Sequence, residues 1–247
     1  MSKRHDKLGI KQTIQKHWMD HVVKMMLAGL SEKEIRAELD EFLAKEKPYT
    51  GKVPQTHSFI KAMLSSWFSP DKELVNFNNR ALELISYERE ENWLPYHWAI
   101  ISASYPFWFN VAKQVGRLFN LQESITKQQI SIRLRGAYGD RESVWHYAQY
   151  VVRSFVAWGV LKDSKVKGCY EQSKIMGIND PNLAILLYEA ALHVDKEGRT
   201  ALGLLKNNPA FFPFQLPVLT GDFISQHSNT IDVVRYGLDD ELLKLRN

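Results

Sequence analysis

Glu142, His146, Gln149 and Arg153 follow one another at intervals of three or four residues in "RESVWHYAQYVVR". On an α-helix that spacing lines the four side chains along one stripe. Each can exchange hydrogen bonds with base edges or phosphates, Glu142 by accepting from cytosine N4. Val144, Tyr147, Ala148, Val151, Phe155 and Trp158 fall on the opposite side, where they form a core face. Arg141 and His146 also stand in an R-x4-H spacing. In such a pair the arginine can offset phosphate charge while the histidine does acid–base work. His17 and His21 stand at i and i+4 in "HWMDH", beside Asp20, a spacing that can hold a metal on one helix face. No third ligand is identifiable, so they read as ordinary helix residues and no metal is expected. The sequence contains no phosphate-cradling glycine loop, no HExxH and no nucleophile elbow, so neither an enzyme nor a cofactor is expected.

Charge is distributed to suit the stripe. The whole chain of 247 residues carries a formal charge of only +4, which by itself predicts no polyanion partner. From Thr126 to Tyr170, however, eight basic residues face three acidic ones, a net of +5. Lys127, Arg133 and Arg135 precede the stripe, and Lys165 and Lys167 follow it. Beyond Met176 the chain leans acidic, from Asp180 to Asp239, Asp240 and Glu241. The single cysteine, Cys169, excludes an intrachain disulfide and a cysteine-built zinc site. A reducing cytoplasm is the expected location, and the basic start "MSKRHDKLGIK" has no apolar signal core behind it.

These residues need helices to position them. Periodicity predicts helices over residues 11–27, ended by Gly29, over "SEKEIRAELDEFLAKE" with a Ser31/Glu34 capping box, over 55–67 and over 70–90. "WLPYHWAIISASYPFWFNVA" carries no Asp, Glu, Lys or Arg, but its prolines, His97 and Asn110 suit a buried helix better than a membrane span. Its aromatic "SYPFWF" reads as core rather than as a stacking surface for bases. Thr126 is expected to cap the helix "KQQISIRLRGAY", with amides at Thr126 and Lys127 free for a phosphate. Asp140 is expected to cap the helix from Arg141 to Trp158. "VLKDSKVKGCYEQS" reads as a hairpin with a Lys- and Gly-containing tip. Asp180 and Pro181 start a helix to His193, and "TIDVVRYGLDDELLKL" reads as a strand followed by a short helix.

Helix, turn, amphipathic helix and basic hairpin is the order of a winged helix-turn-helix. Residues 122–171, about a fifth of the chain, resemble a bacterial domain of that kind through "ITKQQISIRLRGAYGDRESV", "VVRSFVAWGVL" and "KDSKVKGCYE". A wider resemblance is to the small "A" protein of BREX-type phage-defence systems. It rests on Gly29, Leu30, Ser31, Glu34 and Ile35, on Tyr105, Pro106 and Phe107, and on Gly159, Val160 and Leu161. That resemblance implies a helical DNA-binding protein acting beside larger defence proteins; the acidic extension after Met176 has no counterpart in it. The R-x4-H pair resembles the catalytic motif of HEPN-type ribonucleases, which would imply RNA cleavage.

The expected fold is mainly α, with helical bundle regions around a winged helix-turn-helix carrying a small β-hairpin wing. Three segments are expected: an N-terminal helical domain (1–92) that holds a possible second helix-turn-helix, a winged helix (93–175) and an acidic helical subdomain (176–247). The expected function is non-enzymatic binding of double-stranded DNA without membrane association. Arg141, His146, Gln149 and Arg153 would contact base edges, and Lys127, Arg133, Arg135, Lys165 and Lys167 phosphates. The alternative is a protein-interaction adaptor in which the winged helix is scaffold.

Overall fold

Most of the chain follows its helical periodicity. The structure, a computed structural model, describes residues 3–6, 8–236 and 240–246. The fold is mainly α: among the described residues, eleven α-helices enclose the core and the strands form three small sheets. The N-terminal third holds α1 (Lys16–Leu27), α2 (Glu32–Glu46), α3 (Gln55–Leu64) and α4 (Val75–Ile85). Ser31 and Glu34 form the expected capping box at α2. Helix α1 starts later than its periodicity predicts. Ile10 and Ile14 are fully buried, and the backbone of Ile14 is bonded on both sides to a distant helix, which holds this stretch out of helical geometry.

The uncharged stretch is two helices, α5 (Leu94–Ser104) and α6 (Pro106–Phe119), both buried along nearly their whole length. Tyr105 breaks them at φ −130° and ψ 82° because the proline after it disfavours helical geometry, while Pro106 itself is well placed to start α6. Among the described residues no helix is long and apolar enough to cross a membrane. Phe107, Trp108 and Phe109 are core residues, as read from the sequence.

After α6 come β1 (Ser124–Thr126), α7 (Lys127–Tyr138), α8 (Glu142–Ala157), β2 (Leu161–Asp163) and β3 (Cys169–Gln172). The three strands form one antiparallel sheet in the order β1-β3-β2, with Ile125 opposite Tyr170 and Lys162 opposite Glu171. Next are β4 (Met176–Gly177) and α9 (Pro181–Val194), which Asp180 caps as expected by accepting from the amide of Asn182. The chain ends in β5 (Arg199–Ala201), α10 (Leu202–Lys206), β6 (Phe214–Gln215), α11 (Gly221–His227), β7 (Ile231–Tyr236) and β8 (Asp240–Leu245). The short helix expected after β7 is instead β8, which pairs with β7 on one side and β5 on the other. Leu243 is buried while Lys244 is exposed, a period-two pattern that satisfies two neighbouring strands and overrides the helical preference of "ELLKL". Asp239, counted in the acidic extension, lies outside the described residues. One continuous apolar cluster runs from Ile10 to Leu243 and draws on all three expected segments.

Candidate nucleic-acid interface

Local sequence sets the two helices that carry the candidate residues. Thr126 and Gln129 form a reciprocal capping box at α7: the Thr126 amide donates to Gln129 Oε1 at 2.8 Å, and the Gln129 amide to Thr126 Oγ1 at 3.1 Å. The Lys127 amide donates to the Gly168 carbonyl at 3.0 Å. The amides at Thr126 and Lys127 are therefore occupied, contrary to the expectation that they stay free for a phosphate. Gly139, at φ +79°, ends α7 in a conformation that side chains other than glycine rarely adopt. Asp140 does not cap α8. That helix begins at Glu142 with Arg141 in the N-cap position and no side-chain cap, while Asp140 pairs with Arg135 at 3.2 Å.

The buried face of α8 decides its rotation. Val144, Ala148, Val151, Val152 and Phe155 are buried, Trp158 follows them into the core and Tyr147 is half-buried. Phe155 stacks on Trp98 at 4.9 Å and meets the edge of Trp108 at 4.9 Å, so the aromatic core built by α5 and α6 anchors the helix. With that face fixed inward, Glu142, His146, Gln149 and Arg153 are all exposed. Arg141 is exposed as well and donates to the Tyr138 carbonyl at 3.3 Å. Arg153 is engaged: its guanidinium donates to both carboxylate oxygens of Asp163 on β2, at 2.7 and 2.9 Å.

Strands β2 and β3 form the expected hairpin. Its turn is closed by Ser164 and Cys169, whose amides donate to Cys169 and Val166 carbonyls at 3.0 Å each, and by Gly168 at φ +84°. Lys165, Val166 and Lys167 are exposed at the tip, and Lys162 pairs with Glu171 at 3.1 Å. Because Lys127 is bonded to Gly168, the start of α7 lies against this hairpin. Among the described residues Lys127, Arg133, Arg141, Lys165 and Lys167 form no ion pair; Arg133 is half-buried and the other four are exposed. Arg135 and Arg153 are tied to Asp140 and Asp163.

The remaining candidates separate. His17 bonds Glu46 at 2.8 Å, whereas His21 stacks on Phe42 at 4.2 Å. Among the described residues no group of three His, Cys, Asp or Glu side chains is placed to hold a metal. Asp20 instead points inward, accepting from Lys16 at 2.8 Å and facing His97 Nε2 at 2.8 Å. Trp67 Nε1 donates to His97 Nδ1 at 3.0 Å. An indole can only donate, so Nδ1 is unprotonated, and Nε2–H donates to Asp20. Burial drives the His97 pKa below its usual range, against the pull of Asp20. Burial also pushes the Asp20 carboxyl up, but hydrogen bonds from His97 and Lys16 outweigh it and hold the pKa below the usual value.

A second buried polar group went unread in the sequence. Arg80 pairs with Glu189, Thr230 Oγ1 donates to Glu189 Oε2 at 2.9 Å, and His193 Nε2 stands 3.8 Å from Glu189 Oε1. Its signal was a carboxylate and a histidine at i and i+4 within the otherwise apolar helix "PNLAILLYEAALHV". Most acidic residues of the C-terminal segment are likewise spoken for: Glu197 pairs with Arg199, Asp222 with Arg235 and Asp232 with Arg246. Comparison of the chain with protein-family models, curated proteins and solved structures finds no match.

Proposed function

We propose that residues 106–172 are a winged helix-turn-helix that binds double-stranded DNA, with α8 in the major groove and the β2–β3 hairpin as wing. The observation that carries this reading is the Lys127–Gly168 bond, which brings Lys127 to the hairpin bearing Lys165 and Lys167, three exposed cations that form no ion pair among the described residues. The order α6, β1, α7, α8, β2, β3 with β3 central, and the exposure of Glu142, His146 and Gln149, support it further. In this reading the cations neutralise phosphates and set the register, while Arg141, His146 and Gln149 meet base edges. The protein acts without catalysis, in the cytoplasm, beside larger partners of the BREX-type defence systems that its sequence resembles.

The test is a fluorescence-polarisation titration of the full chain on duplex DNA at two salt concentrations. Affinity should fall steeply as salt rises, because each neutralised phosphate releases counterions. Binding that is absent, or insensitive to salt, overturns the reading.

A second reading is an interaction adaptor. Ile132 on α7 and Val166 at the hairpin tip are exposed at 58% and 64%, apolar positions that a protein partner would cover. Glu197, Asp222 and Asp232 of the acidic C-terminal segment are already paired with Arg199, Arg235 and Arg246, which counts against their holding a basic partner.

A further inference from the structure

Asn110, Lys113 and Arg117 recur at three- and four-residue spacing in α6, which sets them along one stripe of that helix. The stripe lines a groove of about 890 Å³ whose other walls are the end of α9, strand β5, helix α10 and residues 207–209. That volume falls within the ordinary range for small-molecule sites. Gly116, between the two cations in sequence, faces the Pro209 backbone, which occupies the space a Cβ would need. This close approach holds Asn207 and Asn208, which precede Pro209, in the same groove as Lys113 and Arg117.

Lys113 is half-buried and Arg117 exposed, and neither forms an ion pair among the described residues. Burial, and after it the Arg117 charge, lowers the Lys113 pKa, while Asp195 pulls it back. The acids that line the groove are engaged elsewhere: Asp195 accepts from the Glu197 amide at 2.8 Å, and Glu197 pairs with Arg199. Like charges one turn apart on a helix repel, and a partly buried charge without a partner is costly. An anion seated between Lys113 and Arg117 removes both costs through charge-assisted hydrogen bonds.

The other walls describe the rest of the ligand. Leu204 is 68% exposed and lines the groove with Ala201 and Leu242, an apolar strip open to a ligand. Two side-chain amides belong to the same walls. Asn208 Oδ1 accepts from the Ala210 amide at 3.0 Å, and its NH2 forms no bond among the described residues. Asn207 donates to the Gly203 carbonyl at 3.2 Å, which leaves its oxygen as an acceptor. Two cations, an apolar strip, one amide donor and one amide acceptor suit a phosphate joined to a flat ring with polar edges.

We infer that this groove binds a nucleoside monophosphate, with the phosphate between Lys113 and Arg117 and the base against Leu204 beside Asn207 and Asn208. This inference does not rest on duplex binding. Isothermal titration calorimetry of the full chain with AMP, GMP, CMP and UMP tests it, with the matching nucleosides and ribose 5-phosphate as comparisons. At least one nucleotide should bind, and more tightly than both its nucleoside and ribose 5-phosphate. Arg117→Ala and Lys113→Met should each weaken that binding about tenfold, the effect of losing one charged hydrogen bond. Arg117 is exposed, so its substitution decides the matter even if Lys113→Met fails to fold. The inference is overturned if no nucleotide binds, if the nucleoside or ribose 5-phosphate binds as tightly, or if Arg117→Ala binds like the unaltered chain. Loss of duplex DNA affinity in Arg117→Ala, with no nucleotide bound by the parent, likewise overturns it and gives the two cations to the DNA face.

Discussion

The amide of Ile14 donates to Ser154 Oγ at 2.9 Å across 140 residues of sequence, and the Ile14 carbonyl accepts from Trp158 Nε1 at 2.9 Å. The segment before α1 is thereby fastened to the end of α8, the helix that carries the candidate ridge. Ser154 Oγ passes its own proton to the Tyr150 carbonyl at 2.8 Å, so the hydroxyl is satisfied in both roles. Ser154→Ala leaves a buried amide without an acceptor. It should cost about 1–3 kcal/mol, read as a lower midpoint in urea denaturation with an unchanged slope.

Two helical glycines should respond to alanine in opposite directions. A Cβ on Gly116 in α6 would lie 1.9 Å from the Pro209 carbonyl oxygen, backbone that has no room to retreat. Gly116→Ala should destabilise by about 1–3 kcal/mol or more through overpacking. Gly136 in α7 is exposed with nothing near the added atom. Gly136→Ala should stabilise by roughly 0.5–1 kcal/mol from helix propensity alone. Thermal melts of the two variants beside the parent give both signs.

Acid should unfold the protein through His97. Burial lowers the His97 pKa in the folded state, so below the ordinary value of 6.5 the unfolded chain takes up a proton that the folded chain refuses. Stability is full above that value and falls as pH drops beneath it, by up to about 1.4 kcal/mol per pH unit for one proton. The lowered Asp20 pKa acts in the same sense further down, since its contribution is present above 3.8 and is lost as pH falls through the folded value. Denaturation midpoints between pH 7.5 and 5 should decline, and a flat profile would remove His97 from this role.

On the proposed DNA face, Lys165→Ala with Lys167→Ala should weaken binding to every duplex and reduce the salt slope by about two. Gln149→Ala should change preference among sequences instead. Asp163→Asn removes the carboxylate charge that holds Arg153 and should tighten binding several-fold. If the double lysine variant binds as the parent does, the hairpin has no part in the interface.

The Arg141/His146 spacing makes a separate statement. Arg141 sits at the N-cap position of α8, donating to the Tyr138 carbonyl, and the His146 ring rests against Tyr150 at 5.2 Å. Purified protein incubated with RNA should leave it intact, before and after His146→Ala. Cleavage lost on that substitution would restore the ribonuclease reading.

The sequence by itself determined the helices whose periodicity and caps are local: the boxes at Ser31 and Thr126, the Asp180 cap, and the inward set on α8 that leaves Glu142, His146, Gln149 and Arg153 outside. It also determined the β2–β3 hairpin, since its turn residues lie next to one another in the chain. Tertiary structure alone decided which charges stay unpaired. Arg153 and Arg135 carry the same sequence signal as Lys165, yet Asp163 and Asp140 hold the first two. It also made a strand of "DELLKL", because pairing on both edges outweighs local preference, and joined Arg80 to Glu189 across 109 residues. Periodicity and capping act within a turn or two of helix, whereas ion pairs, strand partners and cavities form between segments that only the folded chain brings together.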